Sequence, residues 1–282
     1  IETTSASEEF LLPLTGVTSI DVDWGDGTVD TGITTNNPTH TYATAGTHAI
    51  SVTGSATSVQ FYQSGSESKL RTVTNLGALG WTSLFAAFGS CDNMTSFVCG
   101  DTDTSNVTTM NSMFVFCFSV TTIDVSGFST SSVTDMAFMF QFCRLVTTLD
   151  VSGFDTSSVT TMDSMFENCF SLTTLDVSEF DTSSVTEMFG MFQSCSSLEN
   201  LDIDGWNVTS LTQAVSFLGG ANNALTTAQY DAVLIAWAAQ SVQSGVAIHF
   251  GDATYTAGGA AEAARTTLVN TYGWIITDGG PA

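Results

Sequence analysis

Cysteine is the most reactive side chain in this sequence, and five of its six copies fall on one fixed step. Cys91, Cys117, Cys143, Cys169 and Cys195 stand 26 residues apart. A thiolate can attack a substrate, ligate a metal or pair as a disulfide, and each chemistry needs a companion. No base neighbours these positions in sequence, and no His or second Cys lies two to four residues away. A ladder of in-register cysteines offers no unique pairing, and disulfide dihedrals are demanding. Each Cys instead closes an apolar stretch beside a Phe, and Cys99 takes the place of a Val, so both positions call for a small hydrophobe. The expectation is buried free thiols with no disulfide. The three histidines, His40, His48 and His249, are scattered, and no GxSxG, HExxH, P-loop or dinucleotide fingerprint occurs. No catalytic residue is expected, and the chain is not read as an enzyme.

Carboxylates supply the second possible chemistry. Thr122, Asp124 and Ser126 recur as Thr148, Asp150 and Ser152, then as Thr174, Asp176 and Ser178, and finally as Asn200, Asp202 and Asp204. Placed on neighbouring strands roughly 4.8 Å apart, they would make a flat Thr/Asp/Ser face with a line of like charge. Crowded carboxylates raise one another's pKa or recruit cations. These twelve residues are therefore the candidate binding face. Calcium at Asp150 and Asp176 is the one cofactor considered, and no other is expected. A second acidic set, Asp103, Asp155 and Asp181, reads as Asx turns or caps.

The elements that would position these groups follow from the period itself. Phe88, Phe114, Phe140, Phe166 and Phe192 form a column, as do Met110, Met136, Met162 and Met188. Ile123, Leu149, Leu175 and Leu201 form another. In "TTLDVS", Leu175 and Val177 alternate with polar residues, the pattern of a half-buried strand. Val185, Met188, Met191, Phe192 and Cys195 are spaced like one face of a helix, with Ser and Thr ahead of Val185 as caps. Asp135, Asp163 and Glu187 would then lie in first helical turns. The expected fold is α/β: a leucine-rich-repeat-type solenoid with one short parallel strand and one helix per 26-residue turn, because a single unit cannot bury its own apolar face.

The flanks read differently. Residues 1–9 look like a mature N-terminus or a linker, since "IETTSASEEF" has neither a basic nor an apolar leader region. Residues 10–60 are all-β with tight turns, residues 61–222 carry the repeats, and residues 223–282 form a helix-strand-helix-strand C-terminal cap. The chain has 282 residues with 28 acidic and 4 basic ones, a net charge of −24 that arises from loss of Lys and Arg. Nucleic acid and anionic lipid surfaces need clustered basic residues and are excluded as partners. No run of 18 apolar residues is present, so direct membrane insertion is not expected.

Two resemblances add to this. The turn Trp24-Gly25-Asp26-Gly27 followed by His40-Thr41-Tyr42 and Gly46-Thr47 resembles PKD-like domains, which implies an immunoglobulin-like β-sandwich acting as an extracellular spacer or binding module. The repeat "LVTTLDVSGFDTSSVTTMDSMFENC" is similar to the leucine-rich-type repeats of BspA-like bacterial surface proteins, over roughly residues 70 to 218. That likeness implies an extracellular location, at a cell or virion surface. It also implies adhesion to a host-surface glycan or protein, directly or through a bridging cation. The alternative is a structural subunit, in which copies of the chain assemble into an extracellular filament, a virion fibre or a decoration.

Overall fold

A computed structural model describes residues 1–221 and 224–282. The expected boundary between residues 222 and 223 lies outside the described residues. In the N-terminal segment the strands are short and antiparallel. Glu8–Leu11 pairs with Thr39–Tyr42, and Ser19–Asp23 lies between Val29–Ile33 and Ser51–Ser55. Ile20, Val22 and Trp24 alternate inward from Ser19–Asp23 and are fully buried, as a period of two dictates. Four separate small sheets form here, rather than the two continuous sheets of the expected sandwich. Trp24 is held by its ring N–H on Asp30 and by the Tyr42 hydroxyl, which donates to the Trp24 carbonyl.

The helix-per-repeat solenoid expected from the sequence is not what the chain forms. Among the described residues there are two α-helices, Thr227–Ala238 and Ala260–Asn270, and both follow the repeats. The reason lies in where the backbone donors go. In a helix each N–H bonds four residues back. Here the N–H groups of Met110, Ser112, Phe114 and Phe116 donate to Asp135, Ala137, Met139 and Gln141, each 25 residues ahead. The intervening Met113, Val115 and Cys117 close three-residue turns onto Met110, Ser112 and Phe114. Two residues of each copy take left-handed backbone, such as Ser112 and Phe116, Phe138 and Phe142, and Ser164 and Asn168. Ser184, expected as a helix cap, instead donates its hydroxyl to the Ser157 carbonyl of the preceding copy.

A series of turns with this spacing sends the same side chains inward as a helix would. Val185, Met188, Met191, Phe192 and Cys195 are all fully buried. The copies lie side by side in parallel register, with Ser96–Val98 paired to Thr122–Asp124 and bridges between Asp135 and Thr161 and between Thr161 and Glu187. Phe114, Phe140, Phe166 and Phe192 stack with ring centroids 5.6 Å apart at each step. Buried Thr130 ties two copies together: its hydroxyl accepts from the Asp155 N–H and donates to the Asp155 carbonyl. Thr104 does the same with Ser129.

Left-handed backbone at a non-glycine residue costs roughly 1 kcal/mol. Gly190 takes this conformation in the column where Ser112, Phe138 and Ser164 also stand. Ser194 occupies the second such column at φ 60° and its neighbour in the next copy is Gly220 at φ 76°. Ser194→Gly should therefore stabilise the chain by about 0.5–1 kcal/mol, and Ser194→Ala should not, as read from urea denaturation midpoints.

Both ends of the stack are covered. At the N-terminal end the Phe61 ring stacks on Phe88 at 6.1 Å, and Ser58 bridges to Ser83. At the other end Ala214 bridges to Ile248, and the Trp237 ring N–H donates to the Ile203 carbonyl. Helix Thr227–Ala238 starts with a reciprocal capping box between Thr226 and Gln229. Ala247–His249 and Ile275–Thr277 pair in parallel beside it.

Candidate functional site

The expected binding residues lie on the outside of the copies. Thr122, Ser126, Thr148, Asp150, Ser152, Thr174, Asp176, Ser178, Asn200, Asp202 and Asp204 are exposed, and Asp124 is half-buried. Between them Ile123, Leu149, Val151, Leu175, Val177 and Leu201 point into the core, so alternation leaves the polar residues outside. Two hollows open along this surface. One of about 490 Å³ is lined by Thr122, Asp124, Ser126, Thr148 and Asp150. The other, of about 330 Å³, is lined by Thr174, Asp176, Ser178, Asn200 and Asp202. Asp204 lies apart, with Gln229 of the first helix, in a third hollow.

The carboxylates do not behave as a mutually repelling line. One oxygen of Asp124 accepts from both the hydroxyl and the N–H of Ser126, at 2.7 and 3.0 Å. Asp150 with Ser152 and Asp176 with Ser178 repeat the arrangement. These serine contacts hold all three carboxyls below the ordinary range, and repulsion between neighbouring copies is the weakest influence where it acts at all. The expectation of raised values fails because a hydrogen bond at 2.7 Å outweighs repulsion through water between copies. Asp103, Asp155 and Asp181 form the same type of turn with Ser105, Ser157 and Ser183, and are lowered for the same reason. Among the described residues no three His, Cys, Asp or Glu side chains gather into a metal cage.

The sign of the pH effect follows. Six depressed carboxyls contribute stability above the unfolded value of about 3.9, and that stability is lost as pH falls through their folded values. Asp163 acts the other way. Desolvation raises it, with Glu187 and Asp135 adding to the effect against a hydrogen bond from the Phe189 N–H. Its protonation therefore adds stability as pH falls through its raised value. Acid titration followed by circular dichroism should show a small gain at mildly acidic pH and then a cooperative loss below about pH 4. Asp163→Asn should remove the early gain and leave the later loss in place.

All six cysteines are buried free thiols. Burial pushes Cys143 and Cys169 well above the ordinary thiol range and takes Cys195 to about 12. Cys117, Cys143, Cys169 and Cys195 each donate to a Phe carbonyl of the preceding copy. They are inward-facing spacers with a hydrogen bond. Of the histidines, His40 contacts Asp26 at 2.8 Å, His48 stacks on Tyr42, and His249 accepts from the Gly251 N–H.

Sequence reasoning missed a further group. Phe118, Arg144 and Phe170 occupy one 26-residue column, next to Phe116 and Phe142 and outside the two hollows. The signal was present in the spacing, but a column that mixes Phe with Arg does not read as a conserved chemical position within the repeat. Hydroxyl columns such as Thr134, Thr160, Thr186 and Thr212, each donating to the carbonyl 26 residues earlier, were also passed over.

Among the described residues no helix is long and apolar enough to cross a membrane. No curated protein and no solved structure matches the chain. A family described as "Mycoplasma protein of unknown function, DUF285" matches residues 82–176 and, in overlap, residues 116–237. These stretches span more than half of the chain and take in most of the 26-residue copies and most of helix Thr227–Ala238, so the chain belongs to the DUF285 family, a family of surface-type proteins of Mycoplasma and related bacteria.

Proposed function

We propose that the chain is an extracellular binding protein that presents its Thr/Asp/Ser surface to a glycan or protein on another cell. The observation that carries this reading is the pair of hollows whose linings repeat in sequence, with Asp124, Asp150 and Asp176 each locked by a following serine. Side chains held in place by their own chain lose little freedom on binding, and that keeps the cost of association low. The second oxygen of each locked carboxylate is left to accept from sugar hydroxyls or backbone N–H groups. Membership of a surface-type family supports the location. The covered ends of the copy stack favour a single binding module over a subunit joined end to end.

Glycan-array and whole-cell binding test the proposal. The double change Asp150→Asn/Asp176→Asn should keep the fold, since an amide oxygen still accepts from Ser152 and Ser178. It should weaken binding by about tenfold or more through loss of charge-assisted hydrogen bonds. Removal of calcium with a chelator should leave both the melting temperature and the binding unchanged, because the carboxylates are satisfied by serines. Unchanged binding by the double variant would end the proposal, and formation of regular polymers by the purified chain would favour the subunit role.

A further inference from the structure

Arg144 differs from the other three basic residues. Lys69 lies 3.6 Å from Glu8, Arg71 lies 2.6 Å from Glu2, and Arg265 lies 2.7 Å from Asp278. Arg144 is exposed and has no carboxylate within salt-bridge distance among the described residues. Its guanidinium carbon instead sits 4.6 Å from the Phe118 ring centre, 5.1 Å from that of Phe142 and 5.7 Å from that of Phe170. Those rings come from three successive copies. Glu167, in the copy after Arg144, is already engaged by the Gln141 and Asn168 side-chain amides.

From this arrangement we infer that Arg144 and its collar of phenyl rings bind a carboxylate-bearing pyranose, an acidic sugar such as a uronic or sialic acid. Contact with ring faces orients a guanidinium but does not consume its N–H donors. A carboxylate is the group that two parallel guanidinium donors match. Phe118 and Phe170 keep 37% of their surface exposed, and the electron-rich face of a phenyl ring attracts the weakly positive C–H groups of a sugar. A net charge of −24 selects against polyanions, whereas a single carboxylate can meet Arg144, a cation with no carboxylate partner among the described residues. The inference rests on the surface-protein reading only for where such a sugar is encountered, and none of its residues lines the two Thr/Asp/Ser hollows.

Calorimetry and saturation-transfer NMR on the full chain test it, with N-acetylneuraminic acid and D-glucuronic acid as probes and their methyl esters and D-glucose as neutral controls. The acids should bind about tenfold more tightly than the esters. Arg144→Gln should erase that preference while the far-ultraviolet spectrum is retained, since the side chain is exposed. Phe118→Ser/Phe170→Ser should weaken acid and ester alike. Asp150→Asn/Asp176→Asn should leave the acid preference intact, so this inference and the proposed function fail separately. The inference is overturned if neither acid binds at millimolar concentration, or if Arg144→Gln binds both as the unaltered chain does. It is also overturned if sedimentation shows a dimer that Arg144→Glu abolishes, because a second copy would then occupy the patch.

Discussion

Phe140→Ala should lower the stability of the chain by about 3–5 kcal/mol, the largest single-residue effect expected in the repeats. The Phe140 ring is 1% exposed and lies face to face with Phe114 at 9° and with Phe166 at 7°. Truncation removes the ring's own burial and opens a void that neither neighbour can fill, because each is fixed by the next ring along. The copies contact one another mainly in sequence order, so a break at the centre also uncouples the two halves. Chemical denaturation should then change from one transition to two, seen as a lower midpoint together with a shallower slope. Phe118→Ser, at a ring that keeps 37% of its surface exposed, is the control and should cost about 1–2 kcal/mol, well short of Phe140→Ala. A single unaltered transition for Phe140→Ala would show that the ring stack does not carry cooperativity between the copies.

The second large effect concerns the C-terminal unit. The Asp278 side chain is 3% exposed. It accepts from the Tyr230 hydroxyl at 2.6 Å and from Arg265 at 2.7 and 3.1 Å. Desolvation raises the Tyr230 phenol, and its bond to Asp278 raises it further, so it remains a neutral donor to the carboxylate. Asp278→Ala strands a guanidinium and a phenol together, at a cost of about 3 kcal/mol, the lower part of the range for breaking a buried pair because Arg265 keeps some contact with water. Hydrogen exchange should rise across Ala247–His249 and Ile275–Thr277 and remain unchanged around Phe114. Asp278→Asn should fall between the two, since the amide still fills the space and accepts one bond.

The sequence alone determined which side chains of each copy are inside and which are outside. Phe140, Cys143, Met162 and Val177 are buried, while Thr148, Asp150 and Ser152 are exposed, because burial follows residue type and period. It also put the candidate residues on the outside of the copies, and ten of the twelve, all but Ser152 and Asp204, line the two hollows. What it did not determine was the conformation between Val185 and Cys195. A helix and a chain of three-residue turns present the same apolar spacing, and the outcome depends on whether each N–H finds a carbonyl four residues back or one in the adjacent copy. Only the assembled stack supplies that second carbonyl, as when the Met188 N–H reaches Gln213. Tertiary structure likewise decided that the carboxyls of this row are held below the ordinary range rather than raised. The serine two residues on from each Asp was visible, but its rotamer, and hence the bond that outweighs repulsion between copies, is set by the folded turn. The same holds for Arg144: its spacing from Phe118 and Phe170 is written in the chain, whereas its lack of a carboxylate partner among the described residues emerges only in the folded structure.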